Sequence, residues 1–229
     1  KEFDVAKELA FVPATLKAVQ KELDGEMPVL GFAGAPFTLV CFLMNGQSFM
    51  KSSGDVMSMI RSDKALAHRL MDKLTNVTID YLLMQAEAGA VALQLFESAG
   101  YLLNQEEYEE LALPYQQRIF AALKGKVPTI NFAHGYSHLP HLSQAGADII
   151  SLPGSITIKQ AREHLGENAL VQGNVSNKLL VEGTDDEIRA AVEDCIAQGG
   201  RKGHIFNLDH GLLRETPFAK VQHIVQCVK

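Results

Sequence analysis

Six short apolar runs, each ending on small or polar residues and each followed by an amphipathic stretch, constrain this chain more than any other feature of it. Residues 28–32, 90–96, 127–132, 148–152, 169–174 and 204–208 have the length and apolar content of buried strands. The segments between them carry apolar side chains at helical spacing. Parallel strands need a crossover long enough to hold a helix, so this alternation predicts an α/β fold with parallel strands. Two architectures satisfy it, an open doubly wound sheet and a closed (β/α)8 TIM barrel. No strand is followed by GxGxxG or by a GK[ST] loop, which favours the barrel. Six βα units are legible where a barrel has eight, and the chain opens on Lys1 in a helical pattern. The expectation is one barrel domain over residues 1–229 whose first two βα units are missing from this sequence. A sheet that stopped there would expose a raw edge.

Local signals place the helices. Val5, Leu9, Val12, Leu16, Val19 and Leu23 form one stripe over residues 3–23, with Pro13 starting a second helix. Ala33, Gly34 and Ala35 before Pro36 predict a tight strand-to-helix turn with exposed backbone N–H groups. Residues 45–55 read as a loop, and Ser62 and Asp63 offer a cap for a long helix ending near Ala88. Further helices are predicted over residues 104–123 and, briefly, up to Gly146.

Composition narrows the function classes. The chain has 229 residues, 47% of them hydrophobic, and a net charge of -6. That charge leaves no electrostatic footprint for nucleic acid, and no apolar run reaches membrane-spanning length. Cys41, Cys195 and Cys227 are widely spaced, which suits a reducing compartment such as the cytoplasm, and they read as packing residues.

The chemistry-bearing residue types collect at the strand tips. Residues 204–208 lead into Asp209, His210 and Gly211, at the end of a strand where barrels place their sites. An imidazole there can hydrogen-bond a carboxylate or move a proton near neutral pH; it can equally cap a strand end. Ser98 and the turn from Phe37 to Phe42 would share the same mouth, giving aromatic walls with a few donors. That mixture suits an aromatic or macrocyclic ligand bearing carboxylates, although Phe32, Phe37, Phe42 and Phe96 are each also good core residues. Asp209 and His210 are neighbours, so in a strand they point to opposite faces, which argues against an acid–base pair. His134, His138 and His141 invite a metal reading, but they have no cysteine or acidic company in sequence. They read as solvated loop residues, and no metal is expected. No nucleophile elbow or Ser-His-Asp set is legible.

Four stretches carry a family resemblance: Gly31-Phe32-Ala33-Gly34-Ala35-Pro36-Phe37-Thr38-Leu39, Leu93-Gln94-Leu95-Phe96-Glu97-Ser98, Gln172-Gly173-Asn174 and Phe206-Asn207-Leu208-Asp209-His210-Gly211. In order and spacing they resemble the uroporphyrinogen decarboxylase family across nearly the whole chain. The resemblance implies a (β/α)8 barrel and a cytoplasmic homodimer. It implies removal of the four acetate carboxyl groups of uroporphyrinogen to give coproporphyrinogen, in haem biosynthesis, with neither cofactor nor metal. It further implies that Ser98 and His210 bind substrate carboxylates and that Phe42 stands where the family has a tyrosine. The family's arginine-rich segment and pyrrole-binding aspartate have no match here, so no catalytic residue is assigned within residues 1–229. Arg214 is the local candidate for a cation near the His210 tip. Departures from the family pattern are Asp209 in place of glycine, Pro153-Gly154 in place of Asp-Trp, and Val175-Ser176-Asn177 in place of Leu-Asp-Pro.

Two rival functions share the barrel. A zinc-dependent corrinoid or thiol methyltransferase would need a His-x-Cys after a strand and a late cysteine ligand, and the tip Ala133-His134-Gly135-Tyr136 has no cysteine. A non-catalytic relative that binds a tetrapyrrole or a partner chain draws its support from Phe42 and Asp209.

Overall fold

The computed structural model describes residues 3–45 and 53–229. The chain divides into two units, residues 1–148 and 149–229. The first contains α1 (Val5–Glu8), α2 (Phe11–Leu23), β1 (Gly31–Gly34), α3 (Pro36–Asn45), α4 (Ser53–Ser62), α5 (Lys64–Glu87), β2 (Leu93–Glu97), α6 (Gln105–Leu111), α7 (Leu113–Leu123), β3 (Thr129–Ala133) and α8 (Leu139–Gln144). Strand β1 pairs with β2 and β2 with β3, all parallel, with Gly34 opposite Phe96 and Phe96 opposite Phe132. The second contains β4 (Ile149–Ser151), α9 (Ile158–Leu165), β5 (Val171–Gln172), α10 (Leu179–Glu182), α11 (Asp185–Gly199), β6 (His204–Ile205) and α12 (Phe218–Val228). Here β4 pairs with β5 and β5 with β6, again parallel. The α/β class and the six βα repeats are those expected. Among the described residues, no helix is long and apolar enough to cross a membrane.

Boundaries shift for identifiable reasons. Strand β1 starts at Gly31 and takes in Ala33 and Gly34, which had been read as the turn. These small side chains let α5 and β2 approach: a Cβ on Gly31 would lie 2.7 Å from Leu93 Cδ2 and 2.8 Å from Gln85 Oε1. Strand β6 is shorter than expected and is continued only by an isolated bridge between Val175 and Leu208. Pro13 is the third residue of α2, inside the first turn, where a missing N–H costs nothing. Residues 46–52 of the expected loop lie outside the described residues, and residues 53–55 open α4 instead. Asp63 caps α5 by accepting from Leu66 N, and Asn104 with Glu107 forms a capping box on α6.

The side of β1 away from β2 is closed locally by a side chain. Phe32 N donates to Gln85 Oε1 at 3.0 Å, and Gln85 Nε2 donates to Phe32 O at 3.0 Å. One amide thus satisfies both backbone groups of Phe32 that β2 does not reach. Gln85→Leu should leave both backbone groups without partners and lower stability by roughly 1–3 kcal/mol. Urea denaturation reads this directly, and an unchanged midpoint would mean that water replaces the amide.

Candidate active site

Strand alternation sorts the β2 tip. Glu97 falls on the face of Leu93 and Leu95, toward the helices, whereas Phe96 faces the other way with Phe32 and Phe132, at ring-centroid distances of 5.8 and 5.3 Å. Phe32 is 61% exposed, so that aromatic surface is open, while Phe37 is fully buried in the core. Ser98 follows in the turn and is half-buried; Phe42 lies on α3 and is 41% exposed.

Glu97 has no solvent-accessible surface. Its carboxylate accepts from Thr38 Oγ1 at 2.5 Å and from Gln116 Nε2 at 3.4 Å, and Thr38 Oγ1 in turn accepts from Ala99 N at 3.1 Å. The Tyr108 hydroxyl completes the chain by donating to Gln116 Oε1 at 2.9 Å. Burial dominates and pushes the Glu97 carboxyl up to about 7, although Thr38, Gln116 and the Ala99 backbone all favour its charged form. Burial likewise raises its neighbours, the Cys41 thiol to about 12 and the Tyr108 hydroxyl further. In sequence Glu97 stands out only as part of a motif; the signal of its burial is that it shares the face of Leu93 and Leu95 at the end of an apolar run.

The histidines after β3 differ from the expectation of solvated loop residues. His141 is 3% exposed; its Nδ1 meets the Tyr136 hydroxyl at 2.5 Å and its Nε2 meets Glu109 Oε1 at 2.8 Å. Tyr136 stacks on Tyr108 at 3.9 Å, His138 packs edge-on against His141 at 4.0 Å, and His134 packs against Tyr101 at 5.6 Å. Both ring nitrogens of His141 are therefore engaged, and its acidic partner comes from α6, too far along the chain to be seen by spacing. Among the described residues, no three His, Cys, Asp or Glu side chains are grouped to hold a metal ion.

In the second unit His210 is half-buried in the bend after Leu208. Asp209 N donates to Val175 O at 2.9 Å, Asp209 Oδ1 accepts from Asn177 N at 2.8 Å, and Asn177 Nδ2 donates to Gly211 O at 2.7 Å. Asp209 Oδ1 is thus used on backbone. His204, at the start of β6, bonds Gly173 O at 2.5 Å and has a strand-locking role. Arg214 is exposed in the following turn. The three cysteines are free, with Cys41 and Cys195 buried.

The family model described as uroporphyrinogen decarboxylase (URO-D) matches residues 1–229. The chain belongs to the URO-D family. The uroporphyrinogen decarboxylase of Syntrophotalea carbinolica is 38% identical over 225 residues, covering 97% of this chain and 65% of that protein. That of Myxococcus xanthus is 37% identical over 227 residues, covering 98% and 65%. The chain therefore spans 65% of the length of these URO-D relatives. A solved methyltransferase from Methanosarcina mazei superposes with a TM-score of 0.77 over 95% of this chain and 63% of its own, at 21% identity, a likeness of fold.

Gly154, Asn177 and Asp209 form one packed cluster. Gly154 lies directly under the Asp209 carboxylate, where any Cβ would collide with Oδ2, and the same carboxylate is pinned by the Asn177 N–H. Gly154→Ala should force Asp209 off that bond and lower stability by roughly 1–3 kcal/mol, whereas in an Asp209→Gly background, where the bond and the clash are both gone, the same change should cost little. Losses that simply add across the cycle would show that the two positions are not coupled.

Glu97 also makes a pH prediction. Folded, it holds its proton up to about 7; an ordinary carboxyl releases it near 4.5. Between those values the folded state binds the extra proton, so this group's contribution falls as pH rises through the window and stays constant above it. At about 1.4 kcal/mol per pH unit, the window is worth on the order of 3 kcal/mol. Cys41 and Tyr108, which face it, stay neutral throughout. Glu97→Gln should flatten the stability profile between pH 4.5 and 7, as read by urea midpoints; a parallel profile would place the titration elsewhere.

Proposed function

We propose that this chain acts in the decarboxylation of uroporphyrinogen to coproporphyrinogen in haem biosynthesis, within one (β/α)8-barrel domain. The URO-D match across the whole chain carries the reading. The strand tips and α3 supply the chemistry it needs in kind: a neutral hydroxyl at Ser98, an imidazole at His210 and an exposed ring at Phe42. In this reading Ser98 and His210 take substrate carboxylates and Phe42 packs against the face of a pyrrole.

The reaction itself requires little from the protein beyond placement and charge. Protonating a pyrrole carbon turns the ring into an electron sink. The bond from the acetate methylene to its carboxyl group breaks, its electrons enter the ring and CO2 leaves. The methylene is then reprotonated to a methyl group while the ring loses the first proton. Desolvated carboxylates are costly unless each meets a donor, so fixed donors at the tips provide binding and orientation. Neither metal nor organic cofactor enters these steps. The same reading places the protein in the cytoplasm as a homodimer that binds neither nucleic acid nor membrane.

A charge-assisted hydrogen bond contributes roughly 1.5–3 kcal/mol, so His210→Ala should lower kcat/KM by about ten- to a hundred-fold without abolishing turnover. Ser98→Ala should be milder because a neutral hydroxyl gives a weaker bond. Single-turnover decarboxylation of uroporphyrinogen, with products resolved by carboxylate number, checks both. An unchanged rate would make His210 a strand cap; complete loss would make it a proton donor. Stoichiometric zinc on which turnover depended would move the reading to the methyltransferases.

A further inference from the structure

We propose that Glu97 is a positioning residue that holds Ser98 and Phe42 in one geometry, acting through the Thr38 hydroxyl. The inference deepens the decarboxylase reading and rests on it for what is positioned.

Helix α3 follows β1 directly, and the residue before it, Ala35, has no side chain that could cap it. Its first turn leaves backbone N–H groups in need of an acceptor. Glu97 supplies one from another strand, fully buried and 2.5 Å from Thr38 Oγ1. The Thr38 hydroxyl has its direction set, because it donates to Glu97 and accepts from Ala99 N. Ser98 sits between Glu97 and Ala99, so the chain on either side of it is tied to the same hydroxyl. Phe42 is four residues after Thr38 on α3 and shares its helix face. One hydroxyl and one carboxylate thus connect a hydrogen-bond donor on a strand tip to an aromatic ring on the neighbouring helix. Gln116 holds the second carboxylate oxygen from α7, so Glu97 cannot swing to follow either partner.

The test is a rescue series on the full chain, with uroporphyrinogen turnover resolved into kcat and KM. Thr38→Val keeps the shape and removes both links; KM should rise about ten-fold while kcat stays within about two-fold, since binding groups are displaced and the proton-transfer step is not. Thr38→Ser keeps the hydroxyl and should return KM to the wild-type value. Glu97→Gln, which keeps one acceptor for Thr38 but replaces the second carboxyl oxygen, the one Gln116 donates to, with an amide donor, should fall between them. A Thr38→Val protein that is folded by circular dichroism and melts earlier with KM unchanged would overturn the proposal, leaving a merely structural bond. The link is also readable without substrate, because the sequence has no tryptophan. In a Phe42→Trp background, Thr38→Val should increase acrylamide quenching of the indole and Thr38→Ser should not; equal quenching in all three would overturn the link. An inactive wild type would remove the decarboxylase reading, and the quenching series would still decide the coupling.

Discussion

A carboxylate with no access to water has to be surrounded by donors, and Glu97 draws its donors from several elements at once. Thr38 comes from α3, Gln116 from α7 and, behind Gln116, Tyr108 from α6. Each of these side chains is itself buried. The arrangement leaves the elements of the first unit little freedom to slide, since losing any bond would strand a polar group in a low-dielectric interior. An apolar residue at position 97 would pack without that penalty. What the carboxylate adds is a fixed relation between the β2 tip and the start of α3.

Close approach is the second constraint, and it works in both units through glycine. Gly31 admits Gln85 to the backbone of β1, and Gly154 admits the Asp209 carboxylate. In each case a polar side chain reaches backbone groups that the strand ladder does not satisfy. Gln85 serves Phe32, and Asp209 serves Asn177. The glycines are needed because the neighbour arrives within the radius of a methyl group.

The Asp209 cluster bears on how a URO-D chain tolerates departures from its family pattern. Taken alone, a carboxylate at position 209 beside His210 would need its own donor. Taken together, the small residue at 154 makes room, and the Asn177 N–H takes the charge. His210 is left beside a carboxylate that is already hydrogen-bonded.

Much of this was legible in the amino-acid order. Apolar runs with polar tips set the strands, helical spacing set the crossovers, and Asp63, Asn104 and Pro36 marked helix starts, because each of these signals is local. Ser98 and His210 were singled out by their place at strand tips and Phe42 by its place in the segment after β1, also local properties, while the roles proposed for them came from the family resemblance. Partners distant along the chain were not legible. Glu109 reaches His141 across 32 residues, Glu97 reaches Thr38 across 59, and Asp209 reaches Asn177 across 32. Spacing therefore left His141 as a solvated loop residue and gave Glu97 no partner. Local sequence determines which way a side chain faces; whether that direction leads to water, to a donor or to another carboxylate depends on what the fold brings opposite, and only the tertiary structure decides it.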